Sequence, residues 1–209
     1  MAAYDELKST GVTEDTPKNI ILGAGTIHKG LEYSSGSWNF ATSLIGATQG
    51  GSKISIKPEL KDIEADGALV KVKGLTVKVG ETATMEVNFL EITPELLKHA
   101  VLGKDTEGSS STGILGYNAI ESKLQISSGD YISNLGFIGK TLDGKPIVVI
   151  FDNALCTSGM DHEQKHKDNA VMKLVFECYA DMTGDMQTLP YHIYYPTPTP
   201  PPTGGGSGE

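Results

Sequence analysis

Between Thr82 and Leu90 apolar and polar positions alternate without a break: Ala83, Met85, Val87 and Phe89 fall on one side, Thr82, Thr84, Glu86 and Asn88 on the other. A period of two sends successive side chains to opposite faces of a strand, so this segment predicts a strand with one core face and one wet face. Lys53 to Leu60 alternates likewise, with Ile54, Ile56, Pro58 and Leu60 on one side. Pro58 lacks an amide donor, which predicts an edge strand or a bulge, and the change of phase at Lys61-Asp62-Ile63 predicts a bulge as well.

After the turn at Asp66-Gly67, Val70 and Val72 alternate with lysines, and Leu75, Val77 and Val79 repeat the pattern, predicting two further strand pieces. A short strand at Ile20-Ile21-Leu22, broken by Gly23-Ala24-Gly25, opens the set. Strands at about 121–127, 131–139 and 146–152, a long strand over 170–178 and the closing Tyr191-His192-Ile193-Tyr194-Tyr195 complete it, with Asp143-Gly144 as a hairpin turn. One helix is predicted over Pro94–Leu102: Thr93 caps it, Pro94 suits its first turn, Glu95 its positive end, and Gly103 ends it.

These elements predict a mainly β fold with one helix at about 94–102, in three regions. An N-terminal arm covers 1–18. The β domain covers 19–196 and includes a Gly/Ser-rich loop at 104–118, of a length usually functional or disordered. A Pro/Gly-rich flexible tail covers 197–209.

Composition narrows function. A chain of 209 residues suits a single sizeable core, and no apolar run approaches the roughly 18 residues of a membrane span. The acidic opening Met1 to Glu6 does not read as a signal peptide, so a cytoplasmic product is expected. Cys156 and Cys178 stand outside any CxxC pattern and are expected as reduced thiols. The net charge is −9, and all 17 basic residues are lysine. Without arginine and with an acidic balance, a duplex-binding role is disfavoured; codon bias would explain the lysine usage equally, and the charge argument stands either way.

His162-Glu163-Gln164-Lys165-His166 is a literal HExxH, which on a helix would hold zinc with Glu163 as general base. The segment Asp161–Asp168 is wholly polar, offers no apolar face to anchor a helix, and runs straight into the alternation that begins at Ala170; a loop is predicted. Gly23-Ala24-Gly25 reads as a bend in a sheet, since His28 occupies the third glycine position of a dinucleotide loop. The tyrosines 191, 194 and 195 read as packing residues of a terminal strand. No catalytic residue, metal ligand or cofactor is assigned, and an enzyme is not expected.

The segments Gly46-Ala47-Thr48-Gln49-Gly50-Gly51, Pro58-Glu59, Glu64-Ala65-Asp66-Gly67-Ala68 and Val72-Lys73-Gly74-Leu75 resemble the major tail tube proteins of long-tailed phages of Gram-positive bacteria. The strand ending Phe89-Leu90-Glu91-Ile92-Thr93, its helix, and the closing strand through Pro196 continue the likeness, which spans about 19–196. It implies a β-sandwich or barrel of the tail tube type with one flanking α-helix, and a structural virion protein of the tail assembled in the host cytoplasm: six copies form a ring, rings stack into a tube, and DNA passes through without specific binding. Tape measure and tail terminator proteins are the implied partners. The inner tube of a contractile tail or bacteriocin shares these features, and a surface β-sandwich binding module is the alternative of another class.

Under this resemblance the polar side of the clearest strand, Thr82, Thr84, Glu86 and Asn88, is the candidate lumen face, the alternatives being bulk solvent or an adjoining subunit. Asp5, Glu6 and Lys8 of the arm, with Lys104, Asp105 and Glu107 of the loop, are the candidate contacts between rings.

Overall fold

The alternation from Thr82 to Phe89 lies one strand in from the edge of a large antiparallel sheet, and Ala83, Met85, Val87 and Phe89 are its fully buried face. The computed structural model describes residues 10–106, 113–164, 166–167 and 169–197. In chain order the elements are α1 (Thr16–Asn19), β1 (Ile21–His28), β2 (Tyr33–Ser34), β3 (Ser37–Trp38), α2 (Phe40–Ser43), β4 (Thr48–Asp62), β5 (Thr76–Phe89), α3 (Pro94–Val101), β6 (Lys104–Thr106), β7 (Ala119–Glu121), β8 (Ile132–Thr141), β9 (Pro146–Cys156), β10 (Met172–Cys178) and β11 (Tyr191–Tyr194).

The main sheet runs β1-β8-β9-β10-β5-β4, with β11 also paired to β9. All its pairs are antiparallel. β9 gives one edge wholly to β8 and divides the other, Val148–Phe151 to β11 and Ala154–Cys156 to β10. The sheet curls until β1 packs against β4, so the expected sandwich or barrel takes the form of a half-barrel. Its inner face carries the core, where Phe89 and Phe176 meet edge to face with ring centroids 6.5 Å apart, and Leu96 and Ala100 of α3 plug it.

A smaller layer covers the back of β8 and β9. Leu31, Trp38 and Phe40, from the segment around β2 and β3, pack on Val148 and Ile150, while Val149 and Phe151 belong to the main core, so the run Val148 to Phe151 is covered on both faces. That approach requires glycine beneath it: a Cβ on Gly136 would lie 2.3 Å from the Leu31 side chain. The bend at Gly23-Ala24-Gly25 is present, with a register shift in β1 between Leu22 and Thr26.

Several elements differ from the sequence reading. Residues 70–73 form no strand; they belong to a loop between β4 and β5, and only Thr76–Val79 of that alternation is strand. α3 ends on Leu102, which takes the left-handed conformation (φ 50°), while Gly103 serves close packing, since a Cβ there would meet Ile120 at 2.7 Å. The strand expected at 121–127 is confined to β7; the capping box of Ser127 and Asp130 then starts a 3₁₀ turn. The loop expected at 104–118 begins as β6, paired with β7, and residues 107–112 lie outside the described residues. Of the arm, residues 10–18 are described and include the first residues of the single-turn helix α1; of the tail, only Thr197 is. Tyr191 packs on the core as expected and Tyr194, though partly exposed, meets Trp38 edge to face with ring centroids 5.4 Å apart, while Tyr195, just past the end of β11, is exposed.

Pro58 lies on β4, which is an edge strand, and the bulge falls beside the predicted place: Glu59 faces Gly80 and Leu60 faces Lys78, leaving Val79 as the extra residue. Asp143-Gly144 makes the β8–β9 turn, with Gly144 at φ 90°.

Candidate assembly surfaces

β4 and β5 form a hairpin that outruns the core. Its inner half packs on the sheet through Ile54, Ile56 and Ala83, whereas Lys57–Lys61 of β4 and Thr76–Val79 of β5 are exposed. The connecting loop is ordered by Asp62, whose carboxylate accepts hydrogen bonds from Thr76 Oγ1 at 2.7 Å and Lys71 Nζ at 2.5 Å. Those two bonds hold Asp62 below the ordinary carboxylate range. Ile63 N donates to Leu75 O at 2.8 Å, which extends the ladder into the loop.

This ordered tip is apolar on its outside. Leu69 is 98% exposed and Val70 77%, and Leu60, Ile63, Val72, Val77 and Val79 add to the surface. Exposed apolar side chains gathered on a protruding hairpin make it a candidate for contact with another chain. Sequence reasoning missed it because alternation over 70–79 reads as strand with one face on a core. The available signal was that Ile63, Leu69, Val70 and Val72 cluster round Asp66-Gly67 with too few polar positions for a solvated turn.

The candidate lumen residues do share one face, the side of the sheet away from the core. Register places Lys53, Ser55 and Lys57 of β4 directly beside Glu86, Thr84 and Thr82, and Lys173, Val175 and Glu177 of β10 beside Asn88, Glu86 and Thr84. Thr82 is exposed, while Thr84, Glu86 and Asn88 are half-buried among these neighbours. The face therefore carries lysines 53, 57 and 173 with glutamates 86 and 177, so the chain's acidic excess is not concentrated there.

The residues assigned to contacts between rings are less unified. Lys104 pairs with Glu121 at 3.2 Å across β6 and β7, and Asp105 pairs with Lys98 of α3 at 2.5 Å, so both are engaged within the chain. Asp5, Glu6, Lys8 and Glu107 lie outside the described residues.

The HExxH segment is not helical at its described positions: His162 makes an isolated bridge to Met172, Glu163 and Gln164 are irregular, and His166 is in a turn. Lys165 lies outside the described residues. Among the described residues no group of three or more His, Cys, Asp or Glu gathers as a metal site. Cys156 and Cys178 are buried free thiols, and burial, with the nearby Asp152 charge, pushes Cys178 up to about 12.

No protein-family model matches this sequence, and no curated protein does. Among solved structures, a chain of the virion of a native gene transfer agent particle is similar at 13% identity and a TM-score of 0.39, over 76% of this chain and 92% of that one. A chain of the tail of an empty gene transfer agent particle, computed with helical refinement and C6 symmetry, is similar at the same identity and TM-score, over 83% and 96%. Both neighbours belong to gene transfer agent particles. Likenesses this distant carry no argument about function.

Proposed function

We propose that this chain is the repeating structural subunit of a phage-type tail tube, six copies to a ring and rings stacked into a hollow conduit for DNA. The observation that carries the reading is the β4–β5 hairpin, whose exposed Leu69 and Val70 stand beyond the reach of the chain's own core. Apolar surface of this kind is stabilised when another chain covers it. The family resemblance in the sequence supports the same reading, since four of its segments lie on this hairpin or just before it.

Two further features agree. The face of β4, β5 and β10 away from the core is polar, with Lys173 and Glu86 ion-paired across it, which suits a wall in contact with water. β4 ends the hydrogen-bonded order of the sheet among the described residues, and a ring of copies would pair or cover such an edge. In this reading the subunit works in the virion tail, alongside tape measure and terminator proteins, and performs no catalysis.

Sedimentation velocity tests the proposal. Wild-type protein is expected to form large species as concentration rises, while Leu69→Asp and Val70→Asp keep the native circular dichroism and sediment as smaller species. Assembly unchanged in both variants would refute the role of the hairpin.

A further inference from the structure

The small layer over the back of β8 and β9 gathers aromatic rings at the surface. β2 and β3 are joined by Ser35-Gly36, both at positive φ (52° and 83°), the two-residue turn that matches the twist of a hairpin. That turn sets Tyr33 directly opposite Trp38, with ring centroids 5.2 Å apart. Phe40 stacks nearly parallel to Trp38 at 6.1 Å. Tyr194 comes from β11, far away in sequence, and meets Trp38 at 5.4 Å. The planes of Tyr33 and Tyr194 stand at 62° and 64° to that of Trp38, yet Tyr33 is 59% exposed and Tyr194 46%.

The three crossed rings border a cleft of about 430 Å³, with the buried side chains of Leu31 and Ile150 at its floor. Glu32, Asn134 and Asp152 supply its polar groups. Asn39 holds Glu32 in place: Asn39 Oδ1 accepts from Glu32 N at 2.9 Å, and Asn39 N donates to Glu32 O at 3.2 Å. The register on either side, Ser133 with Asn153 and Leu135 with Phe151, sets Asn134 opposite Asp152 across β8 and β9. Asp152 Oδ2 lies 3.3 Å from His192 Nε2. Among the described residues no hydrogen bond or ion pair engages the Glu32 carboxylate or the Asn134 carboxamide, and no lysine lines the cleft.

Charge decides what such a cleft takes. Aromatic faces carry the negative side of the ring quadrupole, and the two carboxylates add formal negative charge, so rings and acids attract a cation together. A bare ammonium is compact and strongly hydrated. An alkylated one carries methyl groups that gain by burial against the rings and the apolar floor.

We propose that this cleft binds a small organic cation, an alkylated ammonium group held against Trp38, Tyr33 and Tyr194 and opposed by the carboxylates of Glu32 and Asp152. Asn134 offers a hydrogen bond to a polar substituent of the same ligand. None of the hairpin residues behind the tail-tube reading takes part, so the two readings stand or fall separately.

Trp38 is the chain's one tryptophan and reports on its own site. The full chain, titrated with choline chloride at constant ionic strength, should show a saturable change in tryptophan fluorescence, matched by calorimetry. The uncharged analogue, with carbon in place of the quaternary nitrogen, should bind about tenfold more weakly or worse. Glu32→Gln and Tyr194→Ala should each weaken choline binding about tenfold at unchanged circular dichroism, while Tyr194→Phe, which keeps the ring face, should retain it. No saturation by either readout, equal affinity for the uncharged analogue, or wild-type affinity in Glu32→Gln overturns the proposal. Binding of methyl glucoside in preference to choline overturns it as well, and makes the cleft a saccharide site.

Discussion

Lys173 is ion-paired with Glu86 at 2.8 Å across β10 and β5, on the sheet face away from the core. Lys53 stands directly opposite Glu86 on β4, so the carboxylate sits between two ammonium groups. The Lys173 hydrogen bond first, then the charges of Lys173 and Lys53, hold Glu86 below the ordinary glutamate range. A carboxylate with a depressed folded pKa contributes stability above its unfolded pKa and loses it as pH falls through the folded value. NMR titration should find the Glu86 midpoint below that of a free glutamate, and Lys173→Ala should raise it. A Glu86 midpoint indifferent to that substitution would show that the pair does not persist in solution.

The core rests on a few large side chains. Phe176 is fully buried and packs edge to face on Phe89. Phe176→Ala should cost about 3–5 kcal/mol, read as a lower urea midpoint at unchanged slope.

Two neighbouring glycines separate backbone strain from crowding. Gly23 has φ 88° and open space where a side chain would project, whereas at Gly25 (φ 71°) a Cβ would fall 2.3 Å from the Phe137 ring and 2.8 Å from the Ile138 carbonyl oxygen. Gly23→Ala should cost about 1–3 kcal/mol from its backbone alone, and Gly25→Ala distinctly more. Equal losses in urea unfolding would show that β1 relaxes away from β8.

Acid sensitivity should centre on His99. Its ring is buried; Nδ1 lies 3.2 Å from the Asp130 carbonyl oxygen, to which it donates, and Nε2 lies 3.4 Å from Lys29 Nζ. Burial first, then the Lys29 charge, lowers its pKa, and burial does the same to His28. A histidine with a depressed folded pKa lets the unfolded chain bind more protons, so its stability is complete above about pH 6.5 and falls as pH drops towards the folded value. Each such group contributes at most about 1.4 kcal/mol per pH unit. Wild-type stability should therefore decline from pH 7 to pH 5, and His99→Gln should flatten that decline in urea titrations.

Much of this was legible in the sequence. The strict alternation at 82–89 gave the core face of β5, Pro58 marked the edge strand, and Asp143-Gly144 marked the β8–β9 turn, because each is decided by local geometry. The left-handed end of α3 at Leu102 was not legible: helix-stop chemistry favours Gly103, but Gly103 is needed where Ile120 approaches. Residues 70–79 misled for a related reason. Alternation reports which side chains share a face and says nothing about whether a core lies beneath it, and here the hairpin carries valines beyond the sheet. Lys104 and Asp105 looked free in a Gly/Ser-rich loop, yet their partners Glu121 and Lys98 are placed by pairings that composition does not encode.

Electron microscopy of concentrated wild-type protein tests the central claim most directly. Six-fold rings in end-on views and hollow tubes in side views are the expected result. A uniform population of single subunits at every concentration would contradict it.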